Sequence, residues 1–150
     1  MRGEVHDDNA WIAGGVDGHA GLFGTAYSVW KLLNPFMISQ LCYYGKSYNW
    51  MKCSEFIVKP DVINSFVARC AAGEMVAGFD TPSPSGSSSG QYFSPESLGH
   101  LGFTGTSFWM DIQKELIVVL LTNRVHPSRK NDKIRQFRPM IHDLIVKNCL

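Results

Sequence analysis

A serine that attacks an acyl carbon needs a base within reach, and one stretch of this 150-residue chain has the spacing for it. Ser28-Val29-Trp30-Lys31 sets a lysine one helical turn beyond a serine, where a neutral amine can take the hydroxyl proton. Roughly 0.75 such pairs arise by chance in a chain of this composition. Ser28 also falls inside the helix expected after Thr25, not at the start of one, so the pair reads as a decoy. A nucleophile elbow, Gly-x-Ser-x-Gly, needs a strand before it and a helix after it. Gly86-Ser87-Ser88-Ser89-Gly90 has the glycines but lies in Pro82–Gly90, a run almost wholly of Pro, Ser and Gly that reads as a flexible loop or insertion.

Imidazoles and carboxylates gather near the start, as His6-Asp7-Asp8 and His19. These are metal-ligand types, but adjacent residues do not all point at one ion and no HExxH spacing is present, so turn-making in a polar loop explains them better. Cys42, Cys53, Cys70 and Cys149 show no CxxC spacing, which argues against zinc and for buried free thiols. The segment Leu98-Gly-His-Leu-Gly-Phe-Thr-Gly-Thr-Ser107 is different. Here His100 precedes Gly102 on an expected strand; a glycine lets a substrate approach closely, a strand N–H can serve as an oxyanion donor, and the imidazole is a proton-sensitive positive group. The plain alternative is a glycine-weakened strand with a core histidine.

The elements that must hold these groups follow from patterning. Fourteen basic against thirteen acidic side chains leave a formal charge of +1, without the broad basic field of a nucleic-acid binder. Nine Phe, five Tyr and four Trp supply a core. The longest apolar run, Leu116 to Leu121, is far short of the about 18 residues that span a membrane. Six glycines in the first 24 residues mark a turn-rich segment; Thr25 then caps a helix through Leu33, and Asn34-Pro35 predicts a break or kink. Pro60 opens a short helix with Ile63, Phe66, Val67 and Cys70 at helical spacing. Three antiparallel strands are expected, at Gly99–Thr104, Ser107–Asp111 and Leu116–Leu121, followed by a terminal helix from Pro139 with Ile141, Leu144 and Ile145 inward. The fold class is α+β. A strand apolar on both faces belongs in the middle of a sheet covered by helices on both sides, so three strands leave Leu116–Leu121 short of a partner.

Three long strings then become recognisable. Gly3-Glu-Val-His-Asp-Asp-Asn-Ala-Trp11 with Gly14-Gly-Val-Asp-Gly-His-Ala-Gly-Leu-Phe23, Gly99 to Asp111, and Leu116 to Val125 with His126-Pro-Ser-Arg129 together resemble the C-terminal part of the serine β-lactamase and penicillin-binding-protein-like hydrolases, a family that includes esterases and D-alanyl-D-alanine peptidases. The resemblance implies the C-terminal portion of the β-lactamase/transpeptidase-like fold, acyl transfer to serine followed by hydrolysis, and no metal or organic cofactor. The family's third active-site element, Lys or His, then Thr or Ser, then Gly, falls on His100-Leu101-Gly102. His100 then corresponds to the positive group that tunes the acid/base network, and the Phe103 N–H to an oxyanion donor. Leu101, Gly102 and Thr104 would line the substrate, with His6, Asp7 and His19 at the rim. Leucine at 101 lacks the usual hydroxyl, which favours an ester or another acyl group over a β-lactam or D-alanine. Neither Ser28-x-x-Lys31 nor Tyr48-Asn49 occupies the place of the family's Ser-x-x-Lys and Tyr-x-Asn elements. The resulting expectation is a single incomplete domain over residues 1–150, inactive alone, whose partners are a small acyl substrate and a missing N-terminal portion; a non-catalytic module pairing with another chain is the alternative.

Overall fold

The computed structural model describes residues 3–46, 58–68 and 75–150. In chain order its elements are α1 (Asp8–Ile12), α2 (Ala26–Tyr43), α3 (Pro60–Val67), β1 (Met75–Val76), β2 (Phe79–Asp80), β3 (Leu98–Leu101), β4 (Ser107–Asp111), β5 (Leu116–Leu120) and α4 (Ile134–Cys149). Among the described residues the strands form one antiparallel sheet in the order β1-β2-β3-β4-β5. The three expected strands are β3, β4 and β5; β1 and β2, two residues each, carry too little pattern to be read from sequence.

Register sorts the side chains onto two faces. His100, Phe108 and Val119 align across the sheet, as do Leu98, Met110 and Ile117. This face packs on Leu33, Met37 and Leu41 of α2. On the other face Trp109 and Val118 pack with Phe93, Val146 and Ile145, the last two from α4. The α+β class and the helices on both sides of the sheet are therefore as the patterning required. Gly99 is needed for this packing: a Cβ there would run into the ring of Trp109, which is buried.

Five expectations change. Asn34-Pro35 does not break the helix; α2 runs through it, because Leu33, Met37 and Leu41 are buried on the sheet on either side of the proline and tertiary packing overrides one lost backbone bond. Pro139 likewise lies inside α4, which begins at Ile134. The inward row of α4 is Ile134, Arg138, His142 and Val146, spaced by four, while Leu144 is exposed. Pro82–Gly90 is not a loose insertion throughout, since Ser87 and Ser89 are buried and Gly90 lies so close to Asp143 and the Pro139 carbonyl that no Cβ fits. Of the cysteines, Cys42 is half-buried and Cys149 exposed, not buried as expected, and Cys53 and Cys70 lie outside the described residues. Tyr48-Asn49 also lies outside them.

β5 differs from its expected place in one respect. It is apolar along its length yet stands at the end of the sheet, paired with β4 alone among the described residues.

Candidate functional site

β2 meets β3 at a single position, Asp80 opposite Gly99. Past Gly99 the outer side of β3 carries no strand among the described residues, so His100 and Leu101 border an open edge. His100 is exposed, with Nδ1 3.0 Å from the Leu101 carbonyl, and faces Phe108 across the ladder. It is thus not the core histidine of the plain reading.

The β3–β4 turn follows. Gly102 N–H donates to the Thr106 carbonyl at 2.8 Å and Gly105 N–H to the Gly102 carbonyl at 3.0 Å. A Cβ on Gly102 would collide with the Thr106 hydroxyl, so this glycine serves the turn itself, whatever substrate does. Gly105 is at φ +98, and Thr122 Oγ1 fills the space a side chain would need. Phe103 is half exposed, and its N–H makes no hydrogen bond among the described residues. The Thr104 carbonyl accepts from Arg124 N–H (2.9 Å) and Thr122 Oγ1 (3.1 Å).

The glycine-rich segment meets this turn through one arginine. Arg129 donates to both Asp8 carboxylate oxygens (3.1 and 3.2 Å) and to the His6 carbonyl (3.2 Å). The His6 ring lies 5.6 Å from the Phe103 ring, and the Arg124 and Arg129 guanidinium groups stand 4.6 and 5.7 Å from the Phe103 centroid. His6 and Phe103 are therefore brought together. Asp7 and His19 are not turned to the same purpose. Asp7 caps α1 through Ala10 N–H (2.9 Å) and holds His19 Nε2 at 3.0 Å, while His19 Nδ1 is 3.4 Å from Asp17. The Ala10 N–H and then His19 hold the Asp7 carboxyl below its ordinary pKa; Asp7 and then Asp17 raise that of His19. His6 and His19 thus serve different partners, and among the described residues no group of three or more His, Cys, Asp or Glu is placed to hold a metal ion.

Both serine motifs are occupied elsewhere. Ser28 belongs to the N-cap of α2, its N–H on Thr25 Oγ1 at 3.1 Å, and Lys31 lies 4.8 Å over the Tyr27 ring. Ser87 and Ser89 hydrogen-bond each other at 2.7 Å in a buried pair.

Two residues that sequence reasoning missed lie directly behind the turn. Arg138 is buried and donates to the carbonyls of Gly102, Gly105 and Thr106. His142, fully buried, has Nδ1 2.8 Å from the Ser88 carbonyl and Nε2 3.5 Å from Ser107 Oγ. Burial lowers its pKa, and the neutral tautomer with Nδ1–H satisfies both neighbours. The available signal was their place, four apart, in a helical row that begins at Ile134 and ends at Val146.

Among the described residues, the open β3 edge therefore adjoins a turn whose Phe103 N–H is unbonded, on an antiparallel sheet between helices. Residues 2–138 match the Beta-lactamase family, and the chain belongs to it. The resemblance to the serine β-lactamase-like hydrolases, carried by the three long strings, is thereby borne out at the level of the family. Proteins of Salmonella gallinarum, Salmonella agona and Salmonella newport, each named "Putative D-alanyl-D-alanine carboxypeptidase", are 31% identical to it over 141 residues, covering 89% of this chain. The chain spans 30% of the length of these relatives. No solved structure gives a significant match. No helix among the described residues is long and apolar enough to cross a membrane.

Proposed function

We propose that this chain is the C-terminal part of a serine acyl hydrolase, a single incomplete domain that supplies the substrate-binding edge and one oxyanion donor. The observation that carries the reading is the open outer edge of β3 at His100 and Leu101, leading into a turn whose Phe103 N–H is unbonded. An extended acyl substrate pairs with such an edge through its backbone or amide groups. In this reading His100 supplies positive charge, Phe103 N–H stabilises the developing oxyanion, and Gly102 and Thr104 line the approach. His6 borders the site at Phe103, with Asp7 and His19 bracing the segment that carries it. Leu101 offers no hydroxyl to a substrate carboxylate, which supports an ester or another acyl group over a D-alanine terminus.

The nucleophile comes from a partner segment in this reading; of the motif serines, the Ser28, Ser87 and Ser89 hydroxyls are engaged in local hydrogen bonds. Incubation of the isolated chain with a fluorescent β-lactam or p-nitrophenyl acetate is expected to acylate nothing. Stoichiometric labelling of one serine overturns the reading.

The free edge of β5 favours a companion role, as a module that completes its sheet with a strand from another polypeptide. Phe137, Met140 and Leu144 lie exposed on one side of α4 and offer that partner an apolar stripe. Mixing the chain with the part of a Salmonella relative that it does not match should give a complex and restore ester turnover. A chain that stays monomeric, unfolds cooperatively and binds nothing argues against the pairing.

A further inference from the structure

Every carbonyl from Gly102 to Thr106 accepts a hydrogen bond. Arg138 Nη2 donates to Gly102 O at 2.9 Å and Thr106 O at 2.8 Å, and Nε to Gly105 O at 3.2 Å. Arg124 Nε donates to Phe103 O at 2.8 Å, and its backbone N–H takes Thr104 O. A buried guanidinium is tolerated only when its N–H groups find acceptors. Arg138 is 7% exposed and makes no ion pair among the described residues, so these carbonyls are what hold it in the core.

The consequence follows from peptide planarity. The Gly102 carbonyl and the Phe103 N–H belong to one trans peptide unit and point in opposite directions. Fixing the carbonyl on Arg138 therefore fixes where the Phe103 N–H points. A cation on the amide oxygen also draws electron density from the nitrogen, making that N–H a stronger donor. The Phe103 carbonyl on Arg124 does the same for the Thr104 N–H.

We propose that Arg138 is a positioning residue for acyl transfer, aiming and polarising the Phe103 N–H through the Gly102 carbonyl, with Arg124 acting on Thr104 in the same way. The proposal rests on the reading of Phe103 as an oxyanion donor. It is tested on the ¹⁵N-labelled full chain as Arg138→Met, Arg138→Lys and, as a control at an exposed arginine of the same helix, Arg135→Gln. The Phe103 amide order parameter is expected to be about 0.85 in the parent and below about 0.6 in Arg138→Met, with its ¹⁵N resonance displaced. Arg138→Lys should fall between, while in Arg135→Gln the Phe103 amide, and in every variant the amides of α2, should not respond. An unchanged Phe103 amide in folded Arg138→Met, or in Arg138→Lys where the methionine variant does not fold, overturns the proposal. In the recombined protein of the preceding section, Arg138→Lys should lower kcat for the ester with KM unchanged. If the amide responds while kcat holds, the positioning stands and the oxyanion reading of Phe103 falls.

Discussion

Arg138 and Arg129 meet the same turn in different ways, one at its carbonyls and the other at the Phe103 ring. Arg138 is buried, bonds only backbone carbonyls and sits in the inward row of α4. Arg129 is half exposed, bonds the Asp8 carboxylate and the His6 carbonyl, and rests near the Phe103 ring. Asp8 lies below its ordinary pKa chiefly through its hydrogen bond with Arg129. The bidentate ion pair looks the stronger interaction on a diagram, yet water and salt screen it, and the flexible side chains lose entropy in forming it. The carbonyl set of Arg138 has no solvent to fall back on. The difference teaches that the charge without a countercharge carries more of the turn's integrity than the one with a partner.

The largest effect should come from Arg138→Met, which leaves several turn carbonyls without their donor. A loss of about 2–4 kcal/mol in urea unfolding is expected, and a loss below about 0.5 kcal/mol would break the comparison. Next comes His142, which shares the buried row. His142→Gln should cost about 1–2 kcal/mol at neutral pH through the Ser88 bond and the lost packing. The parent should also weaken on acidification. The folded pKa of His142 is below its ordinary value of 6.5, so the unfolded chain binds the extra proton first. Stability is therefore full above the unfolded pKa and declines as pH falls below it; urea midpoints across this window should flatten in the variant.

Smaller still is Arg129→Gln, expected to move the melting temperature slightly at low salt and not at all at high salt. A salt-independent loss would place Arg129 in Arg138's class. The smallest effect tests the brace at His19. Its imidazole should titrate above the ordinary value of 6.5 by NMR, and Asp7→Asn should bring it down more than Asp17→Asn. A raised folded pKa contributes stability below the unfolded value and loses it as pH rises through the folded one. Asp7, with its lowered pKa, contributes above the ordinary carboxylate value and loses it on acidification. The segment is held best between the two.

Patterning revealed β4 to the residue and β5 to within one, because runs of β-branched and aromatic residues bounded by Gly and polar turns have few alternatives. It also singled out Leu98 to Ser107, where a histidine stands two positions before a glycine on an expected strand; the roles of Phe103 and Thr104 came only from the family resemblance. It failed at both internal prolines, where burial on the sheet outweighs a local signal. It failed again at Arg138 and His142, because a rule that sends apolar residues inward cannot see acceptors supplied by a turn more than thirty residues away.

From sequence alone came the α+β class, the three long strands, the absence of a membrane-length apolar run and the strings that mark the Beta-lactamase family. All of these rest on local periodicity or on residue order, which a linear reading retains. The edge left open along β3 and the solitary edge of β5 among the described residues, and the arginines that bond Gly102–Thr106, emerged only in three dimensions. Each depends on which backbone groups meet across the fold, and backbone hydrogen bonds carry no signature in the side chains that the sequence spells out.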